Sequence, residues 1–261
     1  MRSVVGLILA ACLIWATPAG AAGSSSGPID GRRLNDLMSG YYLTPDPKAA
    51  LAWLPRVEPQ VLQRPEAIDL MAMFYIHLLR ANPGLAGSLV DAAGGGAGPA
   101  VLVAATAVWM SGLPDRADLL GRLRATGRLS ETELNRLARF PVFDPVAFAP
   151  QSAHELDLSW AAFYATGDAT YIEKVARHLP YMVPKDTMME LGKSDDPVAR
   201  AVFERALVAR AAAWSLVSHA RRHERVMTAL RSLAVGEDKM NKAVQALFDE
   251  VVQPARAGGK K

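Results

Sequence analysis

Between residue 31 and about residue 253, apolar positions recur every three or four residues, and no stretch sustains the apolar–polar alternation of a half-buried strand. That periodicity predicts a single all-α domain. Leu34, Leu37, Met38, Tyr41 and Tyr42 form the apolar face of a first helix. Leu51, Trp53 and Leu54 lie on a short second one, which opens at Pro45-Asp46-Pro47 with Asp46 as its cap and Pro47 in its first turn. Asp195-Asp196-Pro197 is another helix start of the same kind, and the helix it opens is expected to run to about residue 222. Its alanines at 199, 201, 206, 209 and 211–213 favour the helix intrinsically and permit close packing. A last helix is expected from about Glu237 to Val252.

Several of these helices end in a similar way. An aromatic or apolar turn precedes a tight break at Gly40, at Asn82-Pro83, at Gly112, at Gly167-Asp168 and, more loosely, after Trp214-Ser215-Leu216, and each break leads into another amphipathic segment. The breaks are unevenly spaced, which argues against a fixed-period array and for an irregular, α-solenoid-like stack of helical hairpins. Trp160 and Trp214 share a register ahead of their breaks, as equivalent packing positions would. Two interruptions divide the stack. Gly94–Pro99 has neither the spacing nor the Lys-Ser/Thr of a phosphate cradle and reads as a flexible connector. In Phe140–Pro150 prolines enforce extension, and its three phenylalanines are expected to plug the helices beneath.

The first 21 residues follow a different rule. Arg2, an apolar run from Val4 to Trp15, Pro18 and Ala19-Gly20-Ala21 make the pattern of a secretory signal peptide. The protein is therefore expected in the periplasm or secreted, with residues 22–30 as a flexible leader. A lipobox reading of Leu9-Ala10-Ala11-Cys12, with Cys12 acylated, is the alternative. The apolar run is too short for a membrane anchor. Cys12 is the only cysteine, so the processed domain contains neither disulfide nor thiol nucleophile and must rest on its core. Twenty-nine Lys and Arg against 26 Asp and Glu leave a net charge of +3 with the bases scattered, which gives no footprint for nucleic acid. Residues 254–261 read as a disordered basic tail.

Candidate chemistry is sparse. His219 and His223 stand four apart, within reach of one metal, but the order of His-Glu-x-x-His is absent and Arg221-Arg222 repel a cation. A capped helix end accounts for them better, and a metal-carrier role is the remote alternative. His77, set in an apolar run, reads as a core histidine. Glu155, Asp157 and Asp168, with His154, are acids near helix ends, and would serve a glycan-directed hydrolase or binder only if two of them faced each other across a groove. No nucleophile elbow or Ser-x-x-Lys is present, so no catalytic, cofactor or metal residue is assigned. The aromatic pairs Tyr41-Tyr42, Phe74-Tyr75 and Phe163-Tyr164 form a row that is either the seam between hairpins or the lining of a partner groove.

Tyr41-Tyr42 before its proline pair, Phe74-Tyr75 ahead of Ala81-Asn82-Pro83, Trp160 through Asp168, and Trp214-Ser215-Leu216 followed by Ser218 and His223 together resemble an uncharacterised group of exported bacterial helical proteins. The resemblance spans most of the chain and implies an exported helical fold without an assigned activity, substrate or cofactor. The resulting expectation is a scaffold or binding module for another envelope protein or a peptide, with no nucleic acid among its partners and no membrane anchor after processing.

Overall fold

The computed structural model describes residues 27–96 and 98–257. The signal-peptide and lipobox readings of the first 21 residues and the last four residues of the expected tail lie outside them. Among the described residues the chain is helical, with one isolated bridge between Ile29 and Val57. The helices of the first half are α1 (Gly31–Gly40), α2 (Pro47–Leu51), α3 (Pro65–Ala81), α4 (Ala86–Gly94), α5 (Gly98–Ser111), α6 (Arg116–Ala125) and α7 (Glu131–Leu137). Those of the second half are α8 (Ala153–Thr166), α9 (Thr170–Ala176), α10 (Lys185–Leu191), α11 (Pro197–Ala220), α12 (Glu224–Leu233) and α13 (Lys239–Ala257). Short 3-10 turns at Tyr41–Leu43 and Leu179–Tyr181 continue α1 and α9. None of these helices is long and apolar enough to cross a membrane.

The centre of the fold follows from which helices are apolar all the way round. In α3 every residue from Met71 to Leu79 is buried, and α5 buries eight of its side chains, so these two cannot lie on the surface. α3 packs against α5 on one side and α8 on the other. Consecutive helices pair as hairpins do: α4 with α5, α5 with α6, α8 with α9, α11 with α12 and α12 with α13. The alanines of α11 at 206, 209, 212 and 213 are buried and let it approach α8 and α9 closely, as their small size predicts. Asp46 and Asp196 cap α2 and α11 through their carboxylates, with Pro47 and Pro197 in the first turns.

Gly167 closes α8 in the left-handed region, at φ +66°, which an L side chain enters only at a cost of about 1–2 kcal/mol. A Cβ there would also lie 3.1 Å from a guanidinium nitrogen of Arg225 and 3.4 Å from the Cβ of Tyr42. The Arg225 guanidinium thus rests on the carbonyl end of α8, where the helix dipole favours a cation.

Four expectations are corrected. The leader is not loose up to residue 30, because Ile29 is fully buried, exchanges backbone hydrogen bonds with Arg56 and Glu58, and is followed by Asp30 as the cap of α1. An apolar side chain with a core site ends the freedom that the Gly/Ser composition implied. Residues 94–96 of the expected connector are packed rather than free: a Cβ on Gly96 would come within 3.4 Å of Ala93, Ala100 and Pro55, and Arg128 binds the carbonyls of Gly94 and Gly96. The last helix continues through Pro254 to Ala257, so residues 254–257 are helical rather than tail. Trp160 and Trp214, alike in register, differ in place, at 3% and 52% exposure.

Candidate functional site

All six residues of the aromatic row are buried. Tyr41, Phe74 and Tyr75 join Trp53 in one cluster of rings, while Tyr42, Phe163 and Tyr164 join Trp160, His219 and His223 in another. Three of the row's four hydroxyls are used internally: Tyr75 donates to the Ala50 carbonyl at 2.8 Å, and Tyr42 and Tyr164 are hydrogen-bonded to imidazoles. The row is therefore the seam between helices, and its residues do not line a partner surface. Aromatic rings at helical spacing pack inward because burying them gains most.

A recurring device ties this seam together. His77 Nε2 meets Tyr171 Oη at 3.0 Å, His219 Nε2 meets Tyr164 Oη at 2.8 Å, and His223 Nδ1 meets Tyr42 Oη at 3.1 Å. Each pair joins elements far apart in the chain. Burial disfavours the charged imidazole, so His77 and His223 fall to about 4 and His219 to about 3, helped by Arg80 at the first, His223 and Arg222 at His219, and Arg222 at His223. The same burial pushes the Tyr164 and Tyr75 hydroxyls well above the usual range and Tyr171 to about 12. The His219 and His223 rings are 6.0 Å apart, and among the described residues no three metal-binding side chains cluster. Trp160 Nε1 and His219 Nδ1 are both buried without a hydrogen-bond partner, with the two ring centres 3.9 Å apart.

The three carboxylates do not converge. Glu155 accepts from the Gln151 N–H at the start of α8, and Asp168, just beyond its end, accepts from the N–H and hydroxyl of Thr170. The helix from Glu155 to Thr166 alone separates them by about 16 Å, well beyond the roughly 6.5–9.5 Å that is the largest spacing used in glycoside hydrolysis. Asp157 is raised to about 6 by desolvation, against a smaller opposing effect of His154. His154 itself binds Asp69 at 3.1 Å.

Open concave surface lies elsewhere. The Phe140–Pro150 segment crosses the helices as a strap that is not extended throughout, since it turns at 145–147, where the Phe148 N–H donates to the Asp144 carbonyl at 2.9 Å. Donors from the body fix it: Trp109 Nε1 to the Phe140 carbonyl, Arg80 to that of Phe143, and Lys174 to those of Val146 and Phe148. Burial holds the pKa of His178 below the ordinary histidine value, against a smaller opposing effect of the Pro150 backbone. Phe143 is buried against His77, and Phe148 packs on Phe143, as plugs should. Phe140 departs from that expectation at 49% exposure, because its own carbonyl, not its ring, is what the body holds.

Between this strap, α9, the Leu179–Tyr181 turn and Arg205 of α11 runs a groove of about 740 Å³. Val146 stands on its rim at 87% exposure. A second hollow of about 230 Å³, lined by Pro180, Tyr181, Met182, Val183 and Val202, adjoins it through the shared Tyr181 and Arg205. Sequence reasoning did not single out Tyr181, Val202 or Arg205. The signals available were the proline-bracketed Leu179-Pro180-Tyr181-Met182-Val183-Pro184 and the valines 198 and 202, four apart on a helix that otherwise buries alanines.

Comparison with protein-family models, with curated proteins and with solved structures gives no match.

Proposed function

We propose that this chain is an exported binding module that receives an extended segment of a partner protein or a peptide in the groove between the strap and α9. The observation that carries the reading is the groove itself: about 740 Å³, within the range of functional pockets, with walls immobilised by side-chain donors. Exposed apolar side chains gather beside it, Val146 on the strap and Tyr181, Met182 and Val202 across from it. A rigid surface of this kind binds without paying to order itself. The signal-peptide pattern of residues 1–21 supports the exported setting.

The test is crosslinking and capture from envelope extract with three versions of the protein: wild type, Val146→Asp and Val235→Ser. Val235 is as exposed as Val146 but lies outside the groove. A stoichiometric partner is expected with wild type and Val235→Ser and lost with Val146→Asp. Retention by Val146→Asp, or no partner at all, contradicts the reading.

A further inference from the structure

We infer that the groove selects an acidic extended peptide, with a carboxylate side chain on Arg205 and a neighbouring large apolar side chain in the adjoining hollow. The inference rests on the groove being the binding surface, and names what that surface recognises. Its charges are unevenly spent. Asp168 is occupied by Thr170, and Glu173 by Arg177 at 2.6 Å. Lys174 binds only carbonyls, at 3.1 and 2.6 Å, and so keeps its charge without a counter-ion. Arg205 lies over the Tyr181 ring, 5.0 Å from its centre, and has no carboxylate partner among the described residues.

Two cations, Lys174 and Arg205, therefore face the groove without an ion pair, against one acid, Asp168, which Thr170 holds by hydrogen bonds but leaves charged; Glu173 is paired with Arg177, so the balance of unpaired charge is positive. Holding a guanidinium on an aromatic face limits its rotamers in advance, so its N–H fork meets a carboxylate with less entropy to lose. Arg205 also forms the wall shared with the apolar hollow. A residue bound there places its neighbour against Tyr181, Met182 and Val202, because successive side chains of an extended segment diverge to opposite sides. Lys174, on the strap side, offers a second, weaker point for negative charge further along the peptide.

The experiment titrates fluorescent, proline-flanked peptides, differing only in a central Glu-Leu, Gln-Leu, Lys-Leu or Glu-Ser pair, into the purified full chain. Arg205→Gln and Val202→Asp are run in parallel. Both positions are exposed, so thermal melts are expected to be unchanged. Glu-Leu is expected to bind about tenfold more tightly than Gln-Leu, a difference of about 1.4 kcal/mol that disappears in Arg205→Gln and shrinks as salt is raised. Val202→Asp is expected to weaken both Glu-Leu and Gln-Leu, and Glu-Leu the more, because the introduced carboxylate stands three residues from Arg205 in the same hollow. If Gln-Leu or Lys-Leu equals Glu-Leu while Val202→Asp still weakens them all, the acidic preference falls and the groove stands. Glu-Leu binding indifferent to both substitutions marks diffuse charge attraction and overturns the inference. No binding by any peptide removes the groove reading as well.

Discussion

Replacing Phe163 with alanine is expected to lower the free energy of unfolding by about 3–5 kcal/mol, a third or more of what a domain of this kind commonly has. Phe163 is completely buried on α8, with ring centres of Tyr42, Tyr164 and Trp160 at 4.9, 5.9 and 6.0 Å. Two of those neighbours carry the hydroxyls that hold His223 and His219. The cavity thus removes ring contacts and loosens both hydrogen bonds that fasten the turn between α11 and α12. Urea unfolding measures the energy, and amide exchange is expected to quicken first around residues 219–226. A loss below about 1 kcal/mol would mean that the aromatic row is a lining rather than a seam, since a side chain at a groove wall leaves no internal cavity.

Acidification is the second large effect. His77, His219 and His223 have folded-state values below the ordinary 6.5, so the unfolded chain binds more protons in the window between. Stability is then fully present above about pH 6.5 and is lost as pH falls toward 4, and toward 3 for His219. For His77, which is nearly sealed from solvent, the shift from 6.5 to about 4 corresponds to about 3 kcal/mol. The other two act in the same direction. Asp157 opposes them, since a carboxyl raised to about 6 favours the folded state at low pH and loses that contribution as pH rises through 6. Glu133, held low by its bonds from Ser130, adds to the loss only below the usual glutamate range. Denaturation between pH 7 and 4 is expected to show a steep fall in wild type and a shallower one in His77→Gln, which keeps a hydrogen-bonding group for Tyr171 without a titrating ring. Equal slopes would show that His77 is not among the groups responsible.

These effects also mark how far the sequence could be read. Local features were legible because their causes are local: Asp46-Pro47 and Asp196-Pro197 as helix starts, Gly167 as a stop, and the unbroken three-to-four spacing as helix throughout. Periodicity reports that a side chain lies on an apolar face, but not which element meets it. Trp160 and Trp214 share a register, yet only Trp160 has His219 against it and α8 beneath the surface. The imidazole–tyrosine pairs join residues 55, 94 and 181 positions apart, and no spacing rule announces such partners. Ile29 looked like part of a loose leader until Val57 gave it a place to pair.

The groove was hidden for the same reason. Its strap, α9, Tyr181 and Arg205 are drawn from separate stretches of chain and converge only after folding. The strap was legible as a non-helical crossing from its prolines, though not its turn at 145–147, and its attachment depends on Arg80, Trp109 and Lys174, each of which reads alone as an ordinary surface or turn residue. By contrast, the residues most conspicuous in sequence, the aromatic pairs, are consumed by the core. Conspicuous apolar side chains are those a fold most needs to bury, and a binding surface is left to more modest ones.

The central claim, that recognition takes place between the strap and α9 and not at the aromatic row, is most directly tested by chemical-shift mapping of the isotope-labelled protein saturated with the Glu-Leu peptide. The expected result is a set of perturbations centred on residues 145–151, 170–181 and 205. Perturbations centred instead on Tyr41, Tyr42 and Trp53, or an unchanged spectrum at saturating peptide, would contradict it.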